Sequence, residues 1–373
     1  MSNEGDVKQD ISGNHNTQIN SGNDTIAAIG SGAIAAGRDI IINTADKDMV
    51  ENLKKQINLL EEKLKLIDTE ENEQTKLKVA SESVKIITDL EDTNFVEFSP
   101  EKLIKFGDVS MLAGNLEIAE GLFKQAHHKA KMAKDFFAQG ASLGSLGGVH
   151  IVRGDYNTAL ETLDSSLILF KKINDKIGQS VTLSNIASAH RRLGELEKAE
   201  KFVNESFKLY EENEDLGGMA HSLNSTGLIQ MDLGKINDAE LSFQKSLEFL
   251  EITGNLETKA AVLENIGTLH HGQGNLKLAR LFYKRGLEIE KVIGNKWGIG
   301  QSLNNIGYLE KDEGNYTKAK DYLEQSVLIF EEIGANLHQL KSLENLSDIY
   351  NVLNLHEEKG DCDNAIATLK VDD

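Results

Sequence analysis

A period of forty residues runs through most of this chain and restricts what it can fold into. Six glycines mark it: Gly114, Gly154, Gly194, Gly234, Gly274 and Gly314. An alanine follows each glycine by five residues, a small residue precedes it by seven, and a leucine stands four residues before that small residue. Apolar residues three and four apart predict helices, and each glycine is suited to end one. The spacing therefore predicts helical hairpins that bury their apolar faces only by stacking.

The order of residues within one unit resembles a known repeat. Leu303, Ile306, Gly307, Gly314 and Ala319 stand in the order typical of a tetratricopeptide repeat, although that repeat usually has about 34 residues. A leucine replaces its usual tryptophan, and its closing proline is missing. Units of forty residues are similar to those of kinesin light chains and Pins-type arrays. The resemblance implies a mainly α fold, a right-handed α-solenoid over residues 100–353 with six repeats and a degenerate seventh, and protein binding as its function.

Two segments outside the repeats remain open to more than one interpretation. Residues 11–44 are rich in glycine, asparagine and isoleucine, which favours short strands joined by tight turns. Because so few strands cannot form a stable sheet alone, they would need strands from other copies of the chain. We therefore interpret this segment as an oligomerisation segment that follows a disordered stretch, 1–10. The alternative is a flexible linker. Residues 354–373 are either a helix that caps the solenoid or a tail.

A heptad pattern precedes the repeats, at residues 47–68. Its apolar seam consists of Val50, Leu53, Ile57, Leu60, Leu64 and Ile67. β-Branched residues at the first seam position and leucine at the second favour a parallel two-stranded coiled coil, so we predict a homo-oligomer held together through residues 11–68. The alternative is an amphipathic helix packed on the first repeat. A linker helix is predicted over residues 69–98.

The resemblance also implies a binding groove lined by the first helix of each hairpin. The position that points into it carries Asn185, Asn265, Asn305 and Asn345. An asparagine amide donates and accepts at once, so these side chains would hold the backbone of an extended peptide. The neighbouring wall would consist of Ser184, Asn224, Glu264, Asn304 and Glu344, with Ser188, Thr268, Tyr308 and Asp348. The alternative is that the asparagines bond to neighbouring backbone and stiffen the stack.

Charged and metal-binding residue types give weaker signals. Arg191 stands at the end of a first helix, where it would meet an acidic group of a ligand or remain a solvated helix end. His150, His190 and His270 share one register, but stacked helices lie about 10 Å apart, too far for one metal ion. We therefore predict no metal, no cofactor and no catalytic residue.

Composition limits the partners. The net charge of −20 argues against binding to nucleic acid or to an anionic membrane surface, and it favours a peptide or protein partner that is not strongly acidic. No apolar run is long enough to cross a membrane, and the single cysteine, Cys362, favours the reducing cytoplasm. The sequence predicts a non-catalytic scaffold or adaptor. The alternatives are a peptide-responsive regulator and a purely structural, self-assembling rod.

Overall fold

The structure, a computed structural model, describes residues 18–21, 24–29, 33–36, 40–42, 47–69, 73–92, 96–333 and 335–370. The predicted disordered stretch 1–10 lies outside them. The chain forms two compact units: the first is Met1–Asp68 with Val79–Ala138, and the second is Thr69–Lys78 with Gln139–Asp373. Among the described helices, none combines the length and the apolar character that a membrane span requires.

The described residues of the first unit include five short strands. They are β1 (Gln18–Ser21), β2 (Asp24–Ile29), β3 (Ala33–Ala36), β4 (Ile40–Ile42) and β5 (Val96–Phe98). Each strand pairs antiparallel with the next along the chain, with Ile19 opposite Ile26 and Ile34 opposite Ile42. The pairing of β4 with β5 joins this segment to the residues directly before the first repeat. Self-association of the segment stays a prediction.

Four helices complete this part of the chain: α1 (Lys47–Thr69), α2 (Glu73–Asp92), α3 (Pro100–Leu112) and α4 (Leu116–Ala133). Helix α3 begins with a cap, because the Ser99 hydroxyl accepts a hydrogen bond from the backbone N–H of Lys102 and Pro100 occupies the first turn. Helices α3 and α4 pack against each other as the first hairpin.

The heptad seam of α1 lies inside the chain's own core. Leu53, Ile57, Leu60, Leu64 and Ile67 are at most 6% exposed. They belong to one apolar cluster with side chains of α2, α3 and α4, including the fully buried Ile87 and Phe106. The side chain of Val50 lies outside the described part. Because a coiled coil would need these side chains at its surface, the structure corrects that interpretation and favours the alternative, an amphipathic helix packed on the first repeat.

The remaining helices form six further hairpins, and all but the last of these helices have 17 or 18 residues. They are α5 (Phe136–Arg153), α6 (Tyr156–Lys172), α7 (Lys176–Arg192), α8 (Leu196–Glu212), α9 (Leu216–Asp232), α10 (Ile236–Thr253), α11 (Leu256–Gly272), α12 (Leu276–Ile293), α13 (Lys296–Asp312), α14 (Tyr316–Glu332), α15 (Asn336–Val352) and α16 (His356–Leu369). We call the odd-numbered members the first helices and the even-numbered members the second helices. The predicted α-solenoid of stacked hairpins is confirmed.

The repeat glycines end the first helices as their spacing predicts. Gly234 has a φ of 72°, the left-handed conformation that favours glycine, and its N–H donates to the Met231 carbonyl at 2.9 Å. The next residue, Lys235, donates to the Gln230 carbonyl at 2.8 Å. These two bonds satisfy carbonyls that the helix end would otherwise leave unpaired, so the glycine fixes the turn between the two helices of a hairpin.

The C-terminal segment is a helix packed on its neighbour. Cys362 of α16 is buried, and its thiol donates to the Leu343 carbonyl of α15 at 3.2 Å. Ala365, Ile366 and Leu369 pack against the same apolar cluster. Helix α16 is therefore the second helix of the seventh hairpin, which closes the stack at this end of the described chain.

In five of the described hairpins, a glycine on the first helix faces a large residue on the second. A Cβ atom added to Gly227 would lie 2.5 Å from Cε1 of Phe243, and one added to Gly267 would lie 2.5 Å from Cδ1 of Tyr283. The third repeat has Ala187 instead, and the residue at the facing position is the smaller Val203. The two positions therefore share one volume, as close packing requires.

Serine hydroxyls join the two helices of a hairpin at a second fixed position. Ser166, Ser206, Ser246 and Ser326 of the second helices donate to the carbonyls of Gly140, Ser180, Ala220 and Gly300, respectively, at 2.7–2.8 Å. Each donor stands 26 residues after its acceptor. The fifth repeat departs from this pattern, because Gly286 occupies the serine position.

Candidate functional site

Successive first helices of the second unit contact one another directly, and their polar side chains form the candidate site. Helix α7 packs on α9, α9 on α11, and α13 on α15. Polar contacts join their ends: Arg191 Nε lies 2.6 Å from Asp232 Oδ2, His271 Nε2 lies 2.8 Å from Asp312 Oδ2, and Lys311 Nζ lies 2.7 Å from Asp348 Oδ2. The Nε donor of Arg191 is thus used within the chain.

The four predicted asparagines occupy equivalent half-buried positions on this surface, but they have different partners. Asn265 Nδ2 donates to Asn224 Oδ1 at 2.9 Å, and Asn345 Nδ2 donates to Asn304 Oδ1 at 3.2 Å. These two bonds tie neighbouring first helices together. In both, the acceptor is a side-chain oxygen and not the backbone. Each of the two amides keeps an oxygen and one N–H for a further partner.

Asn185 and Asn305 are the two members of the set with unused amides. In the part of the chain that the structure describes, neither side chain has a hydrogen-bond partner, and both are half-buried. An amide held in this way on a helix surface offers one acceptor and two donors to an incoming backbone. Asn185 lies on α7 and Asn305 on α13, three hairpins apart.

The predicted wall residues divide into packed and exposed members. Asn304 is only 3% exposed and also accepts a hydrogen bond from Ser342 at 3.3 Å, so it joins helices rather than facing solvent. Tyr308 is 43% exposed. Its ring lies 5.4 Å from that of His271 and 5.8 Å from Lys311 Nζ. Tyr308 therefore offers an aromatic face on the surface where the asparagines stand.

Glu264 has an electrostatic environment that sequence reasoning did not identify. It is half-buried on α11, and the Ser302 hydroxyl of α13 donates to its Oε1. Burial raises the pKa of this carboxyl from 4.5 to about 7, and the Ser302 hydrogen bond lowers it less. One feature of the sequence could have indicated it: the hairpin that has this glutamate also has a glycine, Gly286, at the position where four other hairpins have serine.

The histidines and the tryptophan have packing roles. The His190 ring stacks on Phe202, with 5.3 Å between centroids, and the His270 ring stacks on Phe282 at 5.5 Å. The Trp297 ring lies edge-on to His338 at 5.2 Å. Within the described residues, no three histidine, cysteine or acidic side chains come together as metal ligands would.

Known sequences and structures match this arrangement of helices. Two family models of the tetratricopeptide repeat match the chain, one over residues 139–212 and one over residues 300–332. No curated protein matches the sequence. The narrower likeness to kinesin light chains and Pins-type arrays stays a prediction.

Three solved structures show the same fold at low identity. A Rap protein complexed with Competence and Sporulation Factor has a TM-score of 0.59 and 13% identity, covering 86% of this chain and 98% of that one. The Rap conjugation gene regulator of plasmid pLS20, in complex with the Phr* peptide, has a TM-score of 0.54 and 14% identity, covering 84% and 95%. Aspartyl phosphate phosphatase F from Bacillus subtilis has a TM-score of 0.53 and 14% identity, covering 80% and 74%. The family models therefore show that the chain contains tetratricopeptide repeats, and the solved structures show that it shares their fold.

Proposed function

We propose that this protein is a non-catalytic regulator or adaptor that binds an extended peptide along the first helices of its second unit. The observation that carries the proposal is the pair of unused, half-buried amides of Asn185 and Asn305. Backbone hydrogen bonds from asparagine hold a peptide without requiring one sequence, which suits a groove built from repeats.

The spacing of the two amides sets the size of the ligand. Neighbouring packed helices lie about 10 Å apart, so three hairpins separate α7 from α13 by about 30 Å. An extended chain advances about 3.3 Å per residue. A segment that reaches both asparagines therefore needs about nine residues, and the bonding capacity left on Asn265 lies between them.

The solved neighbours favour a regulator over a scaffold. Two of them are complexes, one with Competence and Sporulation Factor and one with the Phr* peptide, and the second is itself a conjugation gene regulator. A short ligand that changes how the hairpins pack would make this protein a peptide-responsive regulator. The scaffold alternative predicts a large protein partner instead.

The finer parts of the proposal rest on the sequence. One solved neighbour is a phosphatase, so the absence of catalysis is itself a proposal. Self-association is proposed only for residues 11–44, because the seam of α1 is buried in the chain's own core. A cytoplasmic location follows the single cysteine, and a ligand that is not strongly acidic follows the net charge of −20.

We expect the double variant Asn185→Ala/Asn305→Ala to bind peptide about tenfold more weakly, because each change removes neutral hydrogen bonds. Random dodecapeptides displayed on phage would be selected against the full chain, and the affinity of the best synthetic peptide would be measured by calorimetry. The matched control is Asn157→Ala/Asn204→Ala, two exposed asparagines on the second helices α6 and α8. Equal affinity of the wild type and the first variant, or no selected peptide, would contradict the proposal.

A further inference from the structure

Among the described residues, Glu264 is a half-buried carboxyl group on the surface that the proposed peptide would cross, and it has no cationic partner. Glu264 lies on α11, between the helices that carry Asn185 and Asn305. Three other acids on the first helices have a basic partner: Asp232 pairs with Arg191, Asp348 with Lys311, and Glu344 with Lys370 at 2.9 Å. Among the described residues, the hydrogen-bond partner of Glu264 is Ser302, and no cationic side chain pairs with it.

The groups around Glu264 on the neighbouring helices do not supply a positive charge. Helix α12 contributes Tyr283, whose pKa burial raises to about 12, so it stays neutral. Helix α13 contributes Ser302. On α9, Asn224 occupies the equivalent register and is bonded to Asn265, while His221, which is exposed, stands one turn earlier, where desolvation lowers its pKa. The carboxyl of Glu264 is therefore held among neutral groups.

The fifth hairpin departs from the repeat at the point where Glu264 packs. A Cβ atom on Gly286 would lie 3.2 Å from Cγ of Glu264, which is tighter than ordinary contact. Serines stand at this position in four other hairpins and donate to a carbonyl of the first helix. The hairpin thus lacks the hydrogen bond by which this serine joins the two helices in the other four, and the glycine leaves room for the glutamate side chain.

We propose that Glu264 recognises a positively charged side chain, lysine or arginine, of the peptide bound along the first helices. This inference rests on the proposed function and names the ligand's chemistry. The half-buried carboxylate lacks a counter-charge, and an ammonium or guanidinium group reaching it from the open side would provide one. Ser302 holds Oε1, which leaves Oε2 for the ligand.

A proton should leave the protein when the peptide binds, because the cation pairs with the ionised carboxylate. In the free protein the pKa of Glu264 is about 7. About one tenth of the carboxyl is therefore ionised at pH 6, and nearly all of it at pH 8. We expect affinity to rise about tenfold between pH 6 and pH 8. A His221→Gln variant should keep this profile, whereas Glu264→Gln should remove it.

The test compares peptides selected by the full wild-type chain and by its Glu264→Gln variant from the same library of random dodecapeptides. Wild-type selections should carry lysine or arginine at one fixed position, and Glu264→Gln selections should not. Synthetic copies with citrulline for arginine, or norleucine for lysine, should bind wild type at least about tenfold more weakly and the variant equally well. Glu161→Gln, an exposed acid on α6, is the matched control and should keep the basic preference.

The outcomes separate this inference from the proposed function. Selected peptides without a fixed basic residue, or the same basic preference in Glu264→Gln, would overturn the inference and leave peptide binding intact. No selected peptide with any chain would overturn both. Circular dichroism would show that Glu264→Gln, a neutral substitution of nearly the same shape, keeps its helical content.

Discussion

Replacing Gly227 with alanine is expected to lower the free energy of unfolding by about 2 kcal/mol. The new Cβ atom would lie 2.5 Å from Cε1 of Phe243, a ring that is fully buried in its hairpin. The ring has no solvent-facing space to move into, so the helices must separate. This cost exceeds the gain of about 1 kcal/mol that alanine gives over glycine inside a helix. Urea unfolding followed by circular dichroism would measure the midpoint and slope.

Two further variants isolate the steric cause. Gly148→Ala on α5 is the matched control, because no atom lies within 4 Å of the new Cβ; it should stabilise the protein by about 1 kcal/mol. Adding Phe243→Val to Gly227→Ala recreates the pair that the third repeat has naturally, Ala187 with Val203. The double variant should be more stable than the sum of the single changes by about 1 kcal/mol or more. Simple additivity would contradict shared volume at these positions.

The hairpins could be predicted because their determinants are local and repeated. The glycine that ends a first helix, the small residue and the large residue that faces it return at fixed spacing, so one unit supports the interpretation of the others. Position 187 shows how far this extends: an alanine where glycine is usual is matched by Val203 in the same hairpin. The sequence contains both halves of the pair.

The packing partner of the apolar seam of α1 could not be predicted in the same way. A heptad pattern states that one face of α1 is apolar, but it does not state which surface covers that face. Leu60 is 1% exposed because α2 and the first hairpin supply the cover, and a second copy of the chain would bury it equally well. Only tertiary structure distinguishes the two arrangements.

Only part of the candidate site could be predicted from the sequence, and the reason is related. The register of the asparagines could be read from the repeat, but their partners stand 41 residues away: Asn224 for Asn265 and Asn304 for Asn345. Which amides remain unused depends on the neighbouring hairpin. The environment of Glu264 depends likewise on Ser302, 38 residues later, and on the absence of a nearby cation.

Glu264→Gln is expected to stabilise the protein by about 2 to 3 kcal/mol at pH 8 and by much less at pH 4.5. Burial raises the pKa of Glu264 from 4.5 to about 7 in the folded state, so the folded protein binds this proton more tightly than the unfolded chain does. Stability therefore falls as pH rises from 4.5 to 7 and is constant above that range. Glutamine has no proton to lose, so it removes this dependence.

Urea midpoints of the wild type and Glu264→Gln, each measured at pH 4.5 and pH 8, would test this. The difference between the two proteins at each pH is the quantity of interest, because the other titrating groups are common to both. Glu161→Gln, exposed on α6, should show no such difference at either pH. A stability gain that is the same at both pH values would show that the pKa of Glu264 is not raised by folding.

This result would also bear on ligand recognition, because the unpaired carboxylate would then destabilise the free protein at neutral pH. A cation that pairs with Glu264 removes that cost only in the bound state. A basic peptide should therefore raise the wild-type unfolding midpoint more at pH 8 than at pH 6, and raise that of Glu264→Gln equally at both. An acidic groove residue that weakens the empty protein and favours the occupied one is the physical coupling that a peptide-responsive regulator requires.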